Sequence, residues 1–108
     1  AGIRALLRTL LTLEPDFEVV GLARDGADAV DLVSRFKPDL IVIDVAMPVM
    51  SAVEALKAIR AICPAIRVAV LSGERRELPE GAHTQIEKGT PNEVLIEELR
   101  RLCESEPV

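Results

Sequence analysis

Three residues of unlike chemistry stand at matching points in the chain. Asp44 ends the apolar run Leu40-Ile41-Val42-Ile43, Ser72 ends the run that starts at Ile66, and Lys88 follows the short stretch His83–Glu87. A carboxylate can serve as a nucleophile or a metal ligand, a hydroxyl as a hydrogen-bond donor and acceptor, and an ammonium as a compact positive charge. Each has an ordinary explanation taken singly. Strands end at the surface, where acids and serines are common, and a lone lysine is usually a solvated charge. The trio gains meaning only if the fold brings its members to one rim.

The elements that would do so can be read from periodicity. Ile3, Leu6, Leu7, Leu10 and Leu13 recur at helical spacing, giving an amphipathic helix over residues 2–13 that Pro15 ends. Phe17–Ala23 reads as a strand. Asp25 is the expected N-cap of a helix that runs through Phe36 and stops at Lys37-Pro38. Leu40–Asp44 is a short, continuously apolar strand of the kind buried on both faces of a parallel sheet. Ser51 and Glu54 form a capping-box pattern that opens a helix with the stripe Ala52, Ala55, Leu56, Ile59 and Ile62, closed by Cys63-Pro64. Ile66–Ser72 is the next strand, residues 73–80 a loop or a single turn, and His83–Glu87 a weak strand. Thr90 and Glu93 form a second capping box, with Pro91 at the first helical position, and that helix buries Leu95, Leu99 and Leu102 as far as Glu104. This alternation predicts a doubly wound α/β domain, whose ligands bind beyond the carboxyl ends of the strands. Asp44, Ser72 and Lys88 all fall there.

Composition limits what such a domain does. A chain of 108 residues suits one domain, here residues 1–104 followed by a short tail, 105–108. Aliphatic residues must build the core, because hydrophobic residues are 49% of the chain and aromatics only 2%. The net charge is −5 and the basic residues form only isolated pairs, so direct nucleic-acid binding is not expected. No run is long enough to span a membrane. Cys63 and Cys103 lack metal-type spacing and read as reduced thiols in or near the core. His83 reads as an exposed surface residue, and the Glu97–Arg101 pair as part of a solvated helix face.

The residues just quoted resemble the CheY-like receiver domain of two-component response regulators over nearly the whole chain, from Gly2 to Cys103. The block FKPDLIVIDVAMPVMSAVEALKAIR resembles that family's K-P-D-apolar-D-x-x-M-P motif. VAVLSG resembles its strand ending in a switch hydroxyl, and GAHTQIEKGTPNEVLIEEL its strand, lysine and last helix start. The opening, GIRALLRTLLTLEPDFEVVGLARDG, is similar to the subclass that often carries a helix-turn-helix output domain in transcription regulation. The resemblance implies a flavodoxin-like (CheY-like) fold and a cytoplasmic signalling domain rather than an enzyme. It implies phosphorelay signal transduction, with Asp44 accepting a phosphoryl group from a sensor histidine kinase or phosphotransfer protein. Lys88 and Ser72 would contact the phosphoryl oxygens. Mg²⁺ would be held by Asp44 and the backbone carbonyl of Ala46. Homodimerisation is an expected partner mode. A flavodoxin-like nucleotide or flavin site is disfavoured, since no G-x-G-x-x-G occurs.

Three departures from the pattern carry expectations of their own. Family members open on a strand ending in two adjacent metal-binding acids, whereas this chain opens in the first helix and offers no acidic pair. A gap in the sheet is therefore expected, left by truncation or filled by another strand. An unfilled gap would be unfavourable, since each buried unpaired peptide group costs about 1–3 kcal/mol against a net stability of about 5–15 kcal/mol. The segment GERRELPE after the strand ending at Ser72 is short and interrupted by Pro79, so most of the family's fourth helix is expected to be absent and the first and last helices to remain as the contact surface. Gln85 stands at a degenerate switch position, where an aromatic residue is usual, and Val49, Ser51 and Ala52 alter the loop after the phosphoacceptor. The alternative function these departures suggest is a degenerate receiver acting as a phosphorylation-independent interaction module.

Overall fold

A computed structural model describes residues 2–23, 25–44, 52–74 and 77–104. The elements are α1 (Gly2–Thr12), α2 (Gly26–Phe36), β1 (Leu40–Asp44), α3 (Ala52–Ile62), β2 (Arg67–Ser72), β3 (Thr84–Glu87) and α4 (Asn92–Glu104). The strands form one parallel sheet in the order β1-β2-β3. Asp25 caps α2 as expected: its extended backbone lets the carboxylate accept from the Asp28 N–H at 2.8 Å. Lys37 ends that helix in the left-handed region, φ 45°, with its N–H returned to Val33 O. Ser51, the expected cap of α3, lies outside the described residues, as do Val49 and the tail 105–108.

Alternation along the strands divides the core in two. Val68 and Val70 of β2, with Ile43 of β1, face Ala29 and Val33 of α2 and Ala55, Leu56 and Ile59 of α3. Ala69 and Leu71 point the other way, with Ile86 of β3, to Leu7 of α1 and Leu95 and Leu99 of α4. The period-2 pleat thus feeds two helical layers from one strand, and every residue of β2 is buried. This is the doubly wound layering the sequence implied.

Phe17–Ala23 corrects one expectation. It is extended in composition but belongs to no strand of the sheet, and Val20 and Leu22 are exposed at 41% and 38%. The reason lies beside it. A strand needs a neighbour within about 5 Å to accept its ladder bonds. Between this segment and β1 there is instead an open groove of about 1410 Å³, lined by Leu11, Phe17, Val19, Leu40 and Val42 among others. Among the described residues, β1 therefore pairs only with β2. Among the described residues the sheet has three strands, and this groove flanks β1.

The charged residues also differ in detail from the sequence reading. Glu97 pairs with Arg100 at 3.3 Å rather than with Arg101. Arg100 also binds Glu14 and Asp16, both at 2.7 Å, and lies over the Phe17 ring, so it fastens the turn after α1 to α4. The Arg100 hydrogen bond holds Asp16 below the usual carboxylate range. Cys63 is half-buried, while Cys103 is exposed rather than in the core. Thr90 donates its hydroxyl to Glu87 O at 2.6 Å.

His83 is exposed, as expected, yet its ring is employed. Nδ1 lies 3.1 Å from the Val68 N–H and 3.2 Å from Arg60 Nη2, both donors, so the neutral ring must accept there. The His83 backbone N–H donates to Val68 O at 2.9 Å, while the Val68 N–H is taken by the imidazole, so the ring acts as the last acceptor of the β2–β3 ladder. Partial burial, then the Arg60 and Arg67 charges, lower its pKa from 6.5. In that window the unfolded chain binds a proton that the folded chain refuses. Stability is thus fully present above the unfolded value and falls as pH drops through it toward the folded one. His83 is the only histidine, so the urea midpoint should decline as pH falls through 6.5, and His83→Gln should flatten that part of the profile. An unchanged slope in the variant would refute the assignment.

Candidate functional site at the carboxyl rim of the sheet

Each strand delivers one functional residue to the same rim. β1 ends on Asp44, and its register partner on β2 is Leu71, one residue before Ser72. Ser72 in turn aligns with Glu87, the last residue of β3, so Lys88 is carried just past the sheet. The sequence Glu87-Lys88-Gly89-Thr90 closes a turn, with Thr90 N–H bonded to Glu87 O at 3.1 Å. Gly89 has φ +95° and open space where a Cβ would be, so backbone conformation, not crowding, calls for glycine at this third turn position. The turn holds Lys88 in place through its own N–H, which bonds Ser72 O at 2.7 Å.

From there the Lys88 ammonium reaches Asp44 Oδ2 at 2.9 Å, with the two side chains 33% and 26% exposed. The pair is reachable from solvent on one side and walled by the sheet on the other. A half-exposed pair of this kind contributes only about 0.5–1 kcal/mol to folding. Its value is positional: a carboxylate and a cation meet where an incoming anionic group could touch both.

Ser72 is completely buried. Its hydroxyl lies 2.7 Å from Glu74 O and 2.8 Å from Gln85 Oε1. Gln85, expected to leave the hydroxyl without its usual aromatic neighbour, instead hydrogen-bonds it directly. The sequence flagged both positions but could not reveal the bond between them. Residues 70 and 85 face each other across the β2–β3 ladder, and that register exists only in the folded sheet. The local sequence signal for this arrangement is Glu87-Lys88-Gly89, whose glycine permits the turn that sets Lys88.

The expected Mg²⁺ set is not assembled by the described residues. Ala46 lies outside them, and no group of three or more His, Cys, Asp or Glu among them could hold a metal ion. Asp44 is the sole described member of that set. The described residues alone do not assemble a Mg²⁺ site.

Residues 1–100 match the response regulator receiver domain family. The chain belongs to that family. It is a receiver domain of two-component systems, and receiver domains interact with histidine kinases or phosphotransfer proteins. The domain is 35% identical over 100 residues to the transcriptional regulatory protein DegU of Brevibacillus brevis, covering 87% of this chain and 42% of that protein. It is 39% identical over 77 residues to a protein-glutamate methylesterase/protein-glutamine glutaminase of Thermotoga maritima, covering 71% of this chain and 22% of that protein. This chain thus spans less than half the length of these curated relatives. The response regulator domain of Thermotoga maritima CheB superposes with a TM-score of 0.85 at 31% identity, covering 99% of this chain and 92% of that one. The fold is the CheY-like, flavodoxin-like one. Among the described residues no helix is long and apolar enough to cross a membrane.

Proposed function

We propose that this receiver accepts a phosphoryl group on Asp44 from a phosphohistidine of a sensor kinase or phosphotransfer protein. The observation that carries the reading is the Asp44–Lys88 contact at 2.9 Å, with Lys88 tied through its backbone to Ser72. In the transfer, an Asp44 carboxylate oxygen forms a bond to phosphorus as the phosphorus–nitrogen bond breaks, and the imidazole keeps the leaving electron pair. Phosphoryl transfer depends on position and on neutralising oxygen charge, which Lys88 supplies from beside the attacking carboxylate. Ser72 would add one hydrogen bond to a phosphoryl oxygen.

In this reading residues 1–104 form the receiver and 105–108 lead out of it. The domain acts as a cytoplasmic signalling part and not as an enzyme, whatever domain it serves. Its partners engage the surface of α1 and α4, which also offers a homodimer face, and it binds no nucleic acid itself.

Incubation with a small phosphodonor in Mg²⁺-containing buffer, followed by intact mass measurement, tests the proposal. The protein should gain one phosphoryl group, and Asp44→Ala should gain none. A gain that survives Asp44→Ala would overturn the assignment, and no gain from donor or kinase would leave a phosphorylation-independent binding module.

A further inference from the structure

Ser72 carries a single hydroxyl proton, yet two acceptors crowd its oxygen: Glu74 O at 2.7 Å and Gln85 Oε1 at 2.8 Å. One proton cannot make both bonds at full strength. It is shared between them, so the proton of a fully buried hydroxyl is already committed. Any group bound to Asp44 that is to receive this hydrogen bond must first draw it from these partners.

We infer that Gln85 is the positioning residue that sets how readily the Ser72 hydroxyl turns to a phosphoryl group on Asp44. The inference rests on the Asp44 reading. It assigns the regulation of that site to a side chain that acts through the Ser72 hydroxyl. The geometry supports a local device. Gln85 is half-buried on β3, aligned with Val70, and its amide reaches along the sheet to Ser72 two residues further on β2. The second acceptor, Glu74 O, belongs to the loop that follows β2. When the hydroxyl leaves for a phosphoryl oxygen, the Gln85 amide and the Glu74 carbonyl both lose a partner, and the loop loses its attachment to the strand. Gln85 thus acts as a competitor: it holds the unphosphorylated arrangement against the phosphorylated one.

Deleting the competitor should favour the phosphoryl-bound state. The test measures half-saturation by beryllium fluoride, a phosphoryl mimic that binds a carboxylate, on the full chain in Mg²⁺-containing buffer. Gln85→Leu keeps the side chain's reach and removes its hydrogen bonding, and should lower the half-saturating concentration about fivefold, the factor expected for one net hydrogen bond. In a Ser72→Ala background the same change should have no effect, because no hydroxyl remains to be released. That non-additivity separates positioning from a structural role, which would shift melting temperature alike in both backgrounds. Unchanged or weaker binding by Gln85→Leu, or an equal gain in the Ser72→Ala background, would overturn the inference alone. No binding by the unaltered protein, or binding that survives Asp44→Ala, would remove the Asp44 reading and this inference with it.

Discussion

Lys88→Ala is expected to slow phosphoryl transfer to Asp44 by about 100-fold, the effect of removing one preorganised charge-stabilising donor, while changing unfolding free energy by less than about 1 kcal/mol. The two magnitudes differ for a physical reason. Before reaction the ammonium lies against Asp44 at 2.9 Å with a third of its side chain open to water, so solvent already screens the pair. In the transition state negative charge spreads over the equatorial oxygens beside it, and the entering group displaces that water. The same cation then counts for more. The turn at Gly89 and the Lys88 N–H bond to Ser72 O fix the backbone from which the side chain extends, so no ordering remains to be done at the moment of transfer. Lys88→Arg should recover only part of the rate, since a planar fork does not replace a point charge at this distance. Rates of mass gain with a small phosphodonor and urea midpoints for the three proteins check both halves. An unchanged rate for Lys88→Ala would remove Lys88 from the chemistry.

Arg60→Ala is expected to lower stability by about 3 kcal/mol, because several polar groups would lose a charged partner at once. Arg60 leaves the last turn of α3 and donates through Nη1 to Pro64 O and Ile66 O, each at 2.9 Å. Through Nη2 it donates to Gly81 O and contacts His83 Nδ1. One guanidinium thus joins the exit of α3, the entry of β2 and the approach to β3. Gly81, φ +93°, packs against the Arg60 stem with its Cβ position 3.7 Å from Nε, so the loop is shaped around this side chain. The thermal midpoint should fall by roughly 10 °C or more for a domain of this size. Arg101→Ala, on the exposed face of α4, should shift it by no more than a degree or two, as surface substitutions do. A loss under about 0.5 kcal/mol for Arg60→Ala would show that water replaces these bonds freely.

Local signals carried most of the elements. Asp25 before Gly26, the apolar run to Asp44 and the stripe Ala55-Leu56-Ile59 each specify a backbone state through nearby atoms, and each matches the fold. Phe17–Ala23 marks where that logic stops. Its residues favour a strand, but a strand is a relation between two segments, and the groove beside β1 leaves it no partner. Arg100 shows the same limit: its helical spacing offers Glu97, while Glu14 and Asp16, more than eighty positions away, bind it more closely.

The sequence by itself determined which residues stand at the strand ends, since the switch from apolar run to Asp44, to Ser72 and to Lys88 is written in adjacent positions. It also determined the family, through motifs in fixed order. Tertiary structure alone decided that Lys88 reaches Asp44 and that the Ser72 hydroxyl is held by Gln85 and Glu74. Those contacts depend on the register of three parallel strands and on one turn. Register is set by how two apolar faces pack against four helices, a sum over the whole domain that no local stretch of sequence contains.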